Sequence, residues 1–309
     1  MIDLRTLLVS VVVLVAACGD ADRQATTADA AAEKPKSALV VTSNYPLYFF
    51  ASRITEGIDV APEIVFPDID GDPAFWTPGA EQIQLLQSAD VVILNGAGAE
   101  PWLNLVTLDR RQLLDTTAKI ADRLIPLEDS VRHQHGPEGE HSHQGTAFTT
   151  WLDPQLAIAQ AQALTNAVVD LAPAAEDQFR DNMAKLEREL IELDTRLAGI
   201  FAQLEDRPVL FSHPVYQYLQ RRYLINGKSL HWEPDEEPTT SDWIELQQEL
   251  PAHRASIMIW EDEPLQATKD RLAAADIRSA VFHPVANRPD DGDFLSVMRA
   301  NAKRIQSSL

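Results

Sequence analysis

Two histidines, each followed by proline, close two apolar runs: Val209-Leu210-Phe211-Ser212-His213-Pro214 and Ala280-Val281-Phe282-His283-Pro284. Imidazole is the commonest metal-ligating side chain. A third cluster, the polar loop HQHGPEGEHSH at residues 133–143, adds His133, His135, His141 and His143. Six of the eight histidines thus stand in three places, a distribution that suits a transition metal. Glu233, after Leu230-His231-Trp232, and Glu261, after Ile259-Trp260, stand at strand exits from which a carboxylate could join His213 and His283. A solvated or ion-paired carboxylate is the competing reading for each. Asp72 reads as an acceptor for turn amides beside Pro73, His231 as a hydrogen-bonded core imidazole next to Trp232, and His253 as part of a surface turn. Imidazole nitrogen with carboxylate oxygen suits four-coordinate Zn²⁺; Mn²⁺ asks for more oxygen, and Cu²⁺ competes at nitrogen-rich sites. Zinc is the first choice, with manganese and copper left open.

Such residues need a scaffold that brings strand exits together. Short apolar runs begin near Ala38, Val60, Asp90 and Gln112, and again near Pro208, Lys228, Ala255 and Arg278. Each is four to seven residues and mostly apolar on both faces, as a helix-covered parallel sheet requires. Ligands bind such sheets beyond the carboxyl ends of the strands, so His213 and His283 are expected to face one crevice. Thr77-Pro78 and Asp153-Pro154 read as helix caps before proline, and Asp242 with Glu245 has capping-box spacing. Between the halves, Phe179, Met183, Leu186, Leu190, Leu193, Leu197, Ile200 and Leu204 recur at steps of three and four. This predicts one helix over 173–205, packed along both halves in preference to a coiled-coil dimer seam, with Lys185–Glu189 and Glu192–Arg196 pairs on its other faces. The expected organisation is α/β: two domains, 38–172 and 206–309, each with a four-stranded parallel sheet flanked by helices, joined by that long helix. The chain is expected to be a monomer. Trp76, Trp151, Trp232 and Trp260 fall near strand exits or motif loops, where burial in the core is the first reading of each.

The amino terminus speaks to location. The apolar run at 7–17 is too short to span a bilayer and has the length of a signal h-region; with the small residues before Cys18 it looks like a lipoprotein signal over 1–18. Cys18, the single cysteine of 309 residues, would carry the lipid, so no disulfide forms within the chain and no metal site uses thiolate. Residues 19–37 read as a flexible tether. The net charge of −21, from 26 basic and 47 acidic residues, argues against nucleic acid as a partner. Periplasmic or cell-surface placement, held to the membrane by the lipid, follows from the signal.

Several motifs together resemble a known family. GDPAFWTPGAEQIQLLQSADVVILNGAGAEPW, TTWLDPQLAIAQAQAL, FSHPVYQYLQRRYLI with DEEPTTSDWIELQQEL, and VFHPVANRPDDGDFLSVM look like the zinc- and manganese-binding lipoproteins of bacterial ABC importers, the TroA-like superfamily, over nearly all of 38–305. The resemblance implies two four-stranded domains, a metal held between them and delivery to an inner-membrane permease. The histidine-rich loop resembles that of the zinc-binding members and implies accessory metal capture. Three departures stand out. Where such proteins have Asp-Pro-His, this chain has Asp72-Pro73-Ala74; where they have histidine two residues before Trp-Leu-Asp-Pro, it has Thr149; and where they offer aspartate before proline, it has His283. His213 matches. An ordinary three-histidine site at the usual positions is therefore excluded.

Two other classes of protein find weaker support in the residues. Asn95-Gly96-Ala97-Gly98 after a strand is similar to a dinucleotide-binding turn but lacks the third glycine. A metal-dependent hydrolase needs an open coordination site and a general base, and no HExxH or serine-elbow motif is present, so the chain is not read as an enzyme. A cell-surface receptor or adhesin of the same fold that has lost metal binding is the main alternative, since two expected histidines are gone.

Overall fold

Aliphatic runs of three or four residues form two parallel sheets in the computed structural model, which describes residues 37–134 and 140–309. The first sheet holds β1 (Leu39–Thr42), β2 (Glu63–Val65), β3 (Val91–Leu94) and β4 (Leu113–Asp115), in the order β2-β1-β3-β4. Strands β5 (Pro126–Gln134) and β6 (Glu140–Thr146) pair antiparallel. The second sheet holds β7 (Val209–Phe211), β8 (Gly227–Ser229), β9 (Ile257–Trp260) and β10 (Arg278–Val281), in the order β10-β9-β7-β8. Every pairing within the two four-stranded sheets is parallel. All eight expected strands are present. Their central members are buried on both faces, Val40 and Val92 in the first sheet and Leu210 and Met258 in the second.

The helices are α1 (Tyr45–Thr55), α2 (Ala80–Ser88), α3 (Pro154–Leu171), α4 (Glu176–Phe201), α5 (Gln217–Tyr223), α6 (Thr240–Glu249), α7 (Gln266–Ala273) and α8 (Phe294–Ser308). Asp153 caps α3 through the Gln155 amide with Pro154 in the first turn, as expected. Two other starts differ. Helix α2 opens after Gly79, whose amide Gln82 accepts, so Thr77 is not its cap. Helix α6 is capped by Thr239, with Asp242 closing the box from inside the first turn, so the reciprocal pair lies three residues earlier than Asp242–Glu245. Among the described residues no helix is long and apolar enough to cross a membrane.

The long helix α4 spans 26 residues, about 39 Å at 1.5 Å per residue, with 3₁₀ turns at Pro173–Ala175 and Ala202–Leu204 completing the expected range. All eight residues of its apolar seam are buried within one chain, which leaves no coiled-coil seam to offer a second copy. It packs on α1, α3, α5 and α8. Glu189 pairs with Arg53 of α1 at 2.7 Å in place of the expected Lys185. One apolar cluster runs from β1 through α4 to α8, where Phe294 meets Phe49 and Phe50 at ring separations of 5.6 and 5.2 Å. The buried Asp194 of α4 accepts from Arg222 Nε at 2.9 Å, Tyr223 Oη at 3.0 Å and Gln155 Nε2 at 3.0 Å, joining α3 to α5. Burial alone would raise its carboxyl; the Arg222 and Gln155 bonds outweigh that and hold it below the ordinary aspartate value.

The histidine-rich stretch departs from expectation. Its composition offers no packing surface and reads as an unstructured insertion, yet β5 and β6 run through it, with His133 opposite His141 and Val131 opposite His143. A two-stranded ladder is closed by backbone hydrogen bonds, which side-chain polarity does not forbid. Residues 1–36, Cys18 among them, lie outside the described residues, as does His135.

Candidate metal centre

The second sheet extends its hydrogen bonding past its strand ends and so fixes the three exits that matter. The Ser212 amide donates to Ile259 O, the Leu230 amide to Phe211 O and the Trp232 amide to Ser212 O, each at 2.8 Å. Burial alternates along the β8 exit: Leu230 and Trp232 are buried, His231 is exposed and Glu233 half-buried. Trp232 packs on Trp243 at 4.8 Å and on Trp260 at 6.2 Å, so its neighbours in an extended segment turn to the opposite face. Trp76 and Trp151 are buried as well, which places all four motif tryptophans in the core.

The outcome is a convergence of His213, Glu233 and Glu261, from the exits of β7, β8 and β9, each offering a ligand atom within 4.8 Å of the other two. His213 Nδ1 stands 3.4 Å from Glu233 Oε1. Two donors on a tetrahedral zinc with bonds of 2.0–2.1 Å lie about 3.3 Å apart, so this pair already has the spacing of co-ligands. His213 is buried and the two carboxylates half-buried. Loss of water pushes Glu261 up to about 8, reinforced by the negative charges of Glu233, Asp72 and Asp262. Crowded acids beside a buried imidazole are costly for a protein that holds nothing there and favourable once a cation arrives.

His283 lies outside the group of three but in the same cleft as Glu261. It lines a cavity of about 180 Å³ with Asp72, Phe148, Thr149, Glu261 and Asp262. Its Nδ1 accepts the Val285 amide at 2.9 Å, and its own amide and carbonyl are bonded by Asn301 at 3.0 and 2.8 Å. Burial lowers its pKa, with Arg304 acting in the same direction. His231, expected in the core, is exposed instead, its ring 5.9 Å from that of His213 and perpendicular to it. Its spacing of two from Glu233 was the signal for this, because alternation sends only Trp232 inward. His253 lies in a turn and binds Val209 O through Nε2 at 2.9 Å.

The first half of the chain faces this site without the expected histidines. Asp72 accepts the Ala74 amide at 2.8 Å, the turn role expected of it, and Ala74 is buried. Thr149 donates to Val215 O at 2.6 Å, Trp151 Nε1 to Pro284 O at 2.8 Å, and Asn287 Nδ2 to Ile69 O and Gly71 O at 2.7 Å each. These bonds tie the two halves across the cleft. The glycine turn after β3 is a closed anion cradle: the Asn95 and Gly96 amides donate to Glu100 at 2.7 and 3.2 Å, and burial pushes that carboxyl up to about 7. A carboxylate of the chain itself thus fills the place a phosphate would take.

Two wound sheets braced by one long helix, with metal-type donors at strand exits, make the architecture of a solute-binding protein. The comparisons with known proteins agree. Residues 40–308 match the family described as zinc-uptake complex component A, periplasmic, and the chain belongs to that family of substrate-binding components. The high-affinity zinc uptake system protein ZnuA of Bacillus subtilis is 23% identical over 307 residues, covering 96% of this chain and 94% of its own. That of Yersinia pestis is 23% identical, covering 81% and 84%. Among solved structures, the metal-dependent lipoprotein YcdH of Bacillus subtilis superposes with a TM-score of 0.73 at 19% identity, over 88% of this chain and all of that one. The Zn(II)-bound ZnuA-like domain of Streptococcus pneumoniae AdcA gives 0.72 at 20%, over 88% and 98%.

Proposed function

We propose that this protein captures Zn²⁺ outside the cytoplasm, holds it with His213, Glu233 and Glu261, and delivers it to the permease of an ABC importer in the inner membrane. The convergence of those three donors in the cleft carries the reading. Zinc uptake relatives of 23% identity support the choice of ion, and one imidazole with two carboxylates is a donor set that Zn²⁺ accepts. The rival reading, an adhesin without metal, draws on Ala74 and Thr149 and on a fold shared with a laminin-binding adhesin of Streptococcus agalactiae. Donors gathered at other positions of the same cleft count against it. His133, His135, His141 and His143 act as accessory capture groups and bind the weaker ions. His283, expected from the sequence to share the ion, competes with His231 for the remaining position.

The test is a zinc titration across pH. A carboxyl near 8 is protonated at pH 6, so zinc must displace that proton and affinity should climb from pH 6 to 8, then level off. Stability moves oppositely in the metal-free chain. The folded value of Glu261 lies above the ordinary 4.5, so what the neutral acid contributes is present in full below about 4.5 and lost as pH rises through 8. Thermal midpoints without zinc should therefore fall over that window, and added zinc should raise them more at pH 8 than at pH 6. A pH-independent affinity would remove Glu261 from the donor set.

Anchoring through Cys18 belongs to the same proposal. A Cys18→Ser chain should leave the membrane fraction and appear in the soluble one; membrane retention equal to wild type would rule the lipid anchor out.

A further inference from the structure

Three protein donors leave zinc one tetrahedral position short. The two imidazoles within reach of the cleft are treated differently by the backbone. His283 Nδ1 accepts a peptide N–H, and a neutral imidazole that accepts at one nitrogen carries its proton on the other. Ligation through Nδ1 would break that bond, and ligation through Nε2 would require loss of its proton. The bond also has a function of its own, since Val285 has a φ of 61°, a left-handed conformation that a β-branched residue adopts only against steric resistance. His283 is thereby a brace for a strained turn.

His231 lies beside the three donors, though its ring is not one of the group whose ligand atoms already stand within 4.8 Å of one another. It is exposed, and its centroid lies 5.9 Å from that of His213 with the planes perpendicular. Two imidazoles bound to one tetrahedral zinc have centroids about 5 Å apart. His231 and Glu233 flank the buried Trp232, so one extended segment presents both to the same face, and the Trp232 amide on Ser212 O sets that segment beside His213. We infer that His231 is the fourth ligand, completing with His213, Glu233 and Glu261 a site of two nitrogens and two oxygens supplied wholly by the exits of β7, β8 and β9. The inference rests on the three-donor reading above. It explains why Ala74 and Thr149 can stand where the resemblance calls for histidines: the first half of the chain closes over the ion without binding it.

The experiment measures zinc affinity by chelator competition, and the visible absorption of the Co²⁺-loaded protein, for the full chain and its H231A, H283A and E261Q variants. Because His231 is exposed, H231A should keep the wild-type thermal midpoint without metal. Second-shell changes typically cost about 10- to 100-fold in affinity, so loss of His231 should weaken zinc by about 100-fold or more and dim the tetrahedral Co²⁺ bands. H283A should bind zinc within a few-fold of wild type; if it does not fold, H231A alone decides. Wild-type affinity and spectrum in H231A, or the loss appearing in H283A instead, would overturn the assignment of His231. Wild-type binding by E261Q is the separate outcome that removes the three-donor reading and the fourth ligand with it.

Discussion

A His213→Ala chain should lose its tight zinc site, with affinity falling by at least about 100-fold in a chelator competition at pH 7.5. The bound is set by second-shell substitutions, which typically cost about 10- to 100-fold, whereas this change removes an inner ligand. His213 is the one imidazole in the group of three, and its ring nitrogen already stands 3.4 Å from Glu233. What remains is two carboxylates, one of them pushed up to about 8 and so largely protonated at the pH of the assay. Weaker ions held by the histidines of 133–143 should persist, which separates loss of the site from loss of all binding. Unchanged affinity and stoichiometry would place the ion elsewhere.

The second large effect concerns stability. Asp194→Ala removes the acceptor shared by Arg222, Tyr223 and Gln155 and leaves their donors facing a buried gap. Breaking a fully buried pair costs about 3–5 kcal/mol. Arg222 is a third exposed and recovers some hydration, so about 2–3 kcal/mol is expected, roughly 3–5 °C in the thermal midpoint at this chain length. Urea unfolding reads the same quantity. Asp194→Leu with Arg222→Met should recover only part of the loss, because the apolar pair removes the Asp194–Arg222 charges but deprives the buried Asp153 of the guanidinium 3.7 Å away. A single-variant loss under about 0.5 kcal/mol would show that the cluster behaves as a surface ion pair.

The strands were legible because parallel sheets buried on both faces are written as plain aliphatic runs, as at Val91-Val92-Ile93-Leu94. The long helix was legible because its seam keeps one period over eight residues. The antiparallel pairing of β5 and β6 was not, since backbone pairing leaves no hydrophobic signature in a polar stretch. The site was readable only in outline. His213-Pro214 and His283-Pro284 share one local grammar, yet the first imidazole turns to Glu233 and the second to the Val285 amide, a difference set by Asn301 of α8 and by the turn after β10. Glu233 and Glu261 could be named as strand-exit carboxylates. His231 is exposed although its neighbour Trp232 points to a core, because alternation commits only one of two adjacent residues to the interior.

The bonds from Thr149, Trp151 and Asn287 across the cleft, together with the strut of α4, bear on how a membrane partner would tell a loaded receptor from an empty one. A receptor clamped in this way changes its outline little when its cargo arrives. What changes is the field at the cleft mouth, where Glu233, Glu261, Asp72 and Asp262 crowd and a divalent ion brings in positive charge, partly offset by the proton that Glu261 gives up. Recognition of the loaded state would then be an electrostatic reading, sensitive to ionic strength, with geometry nearly constant.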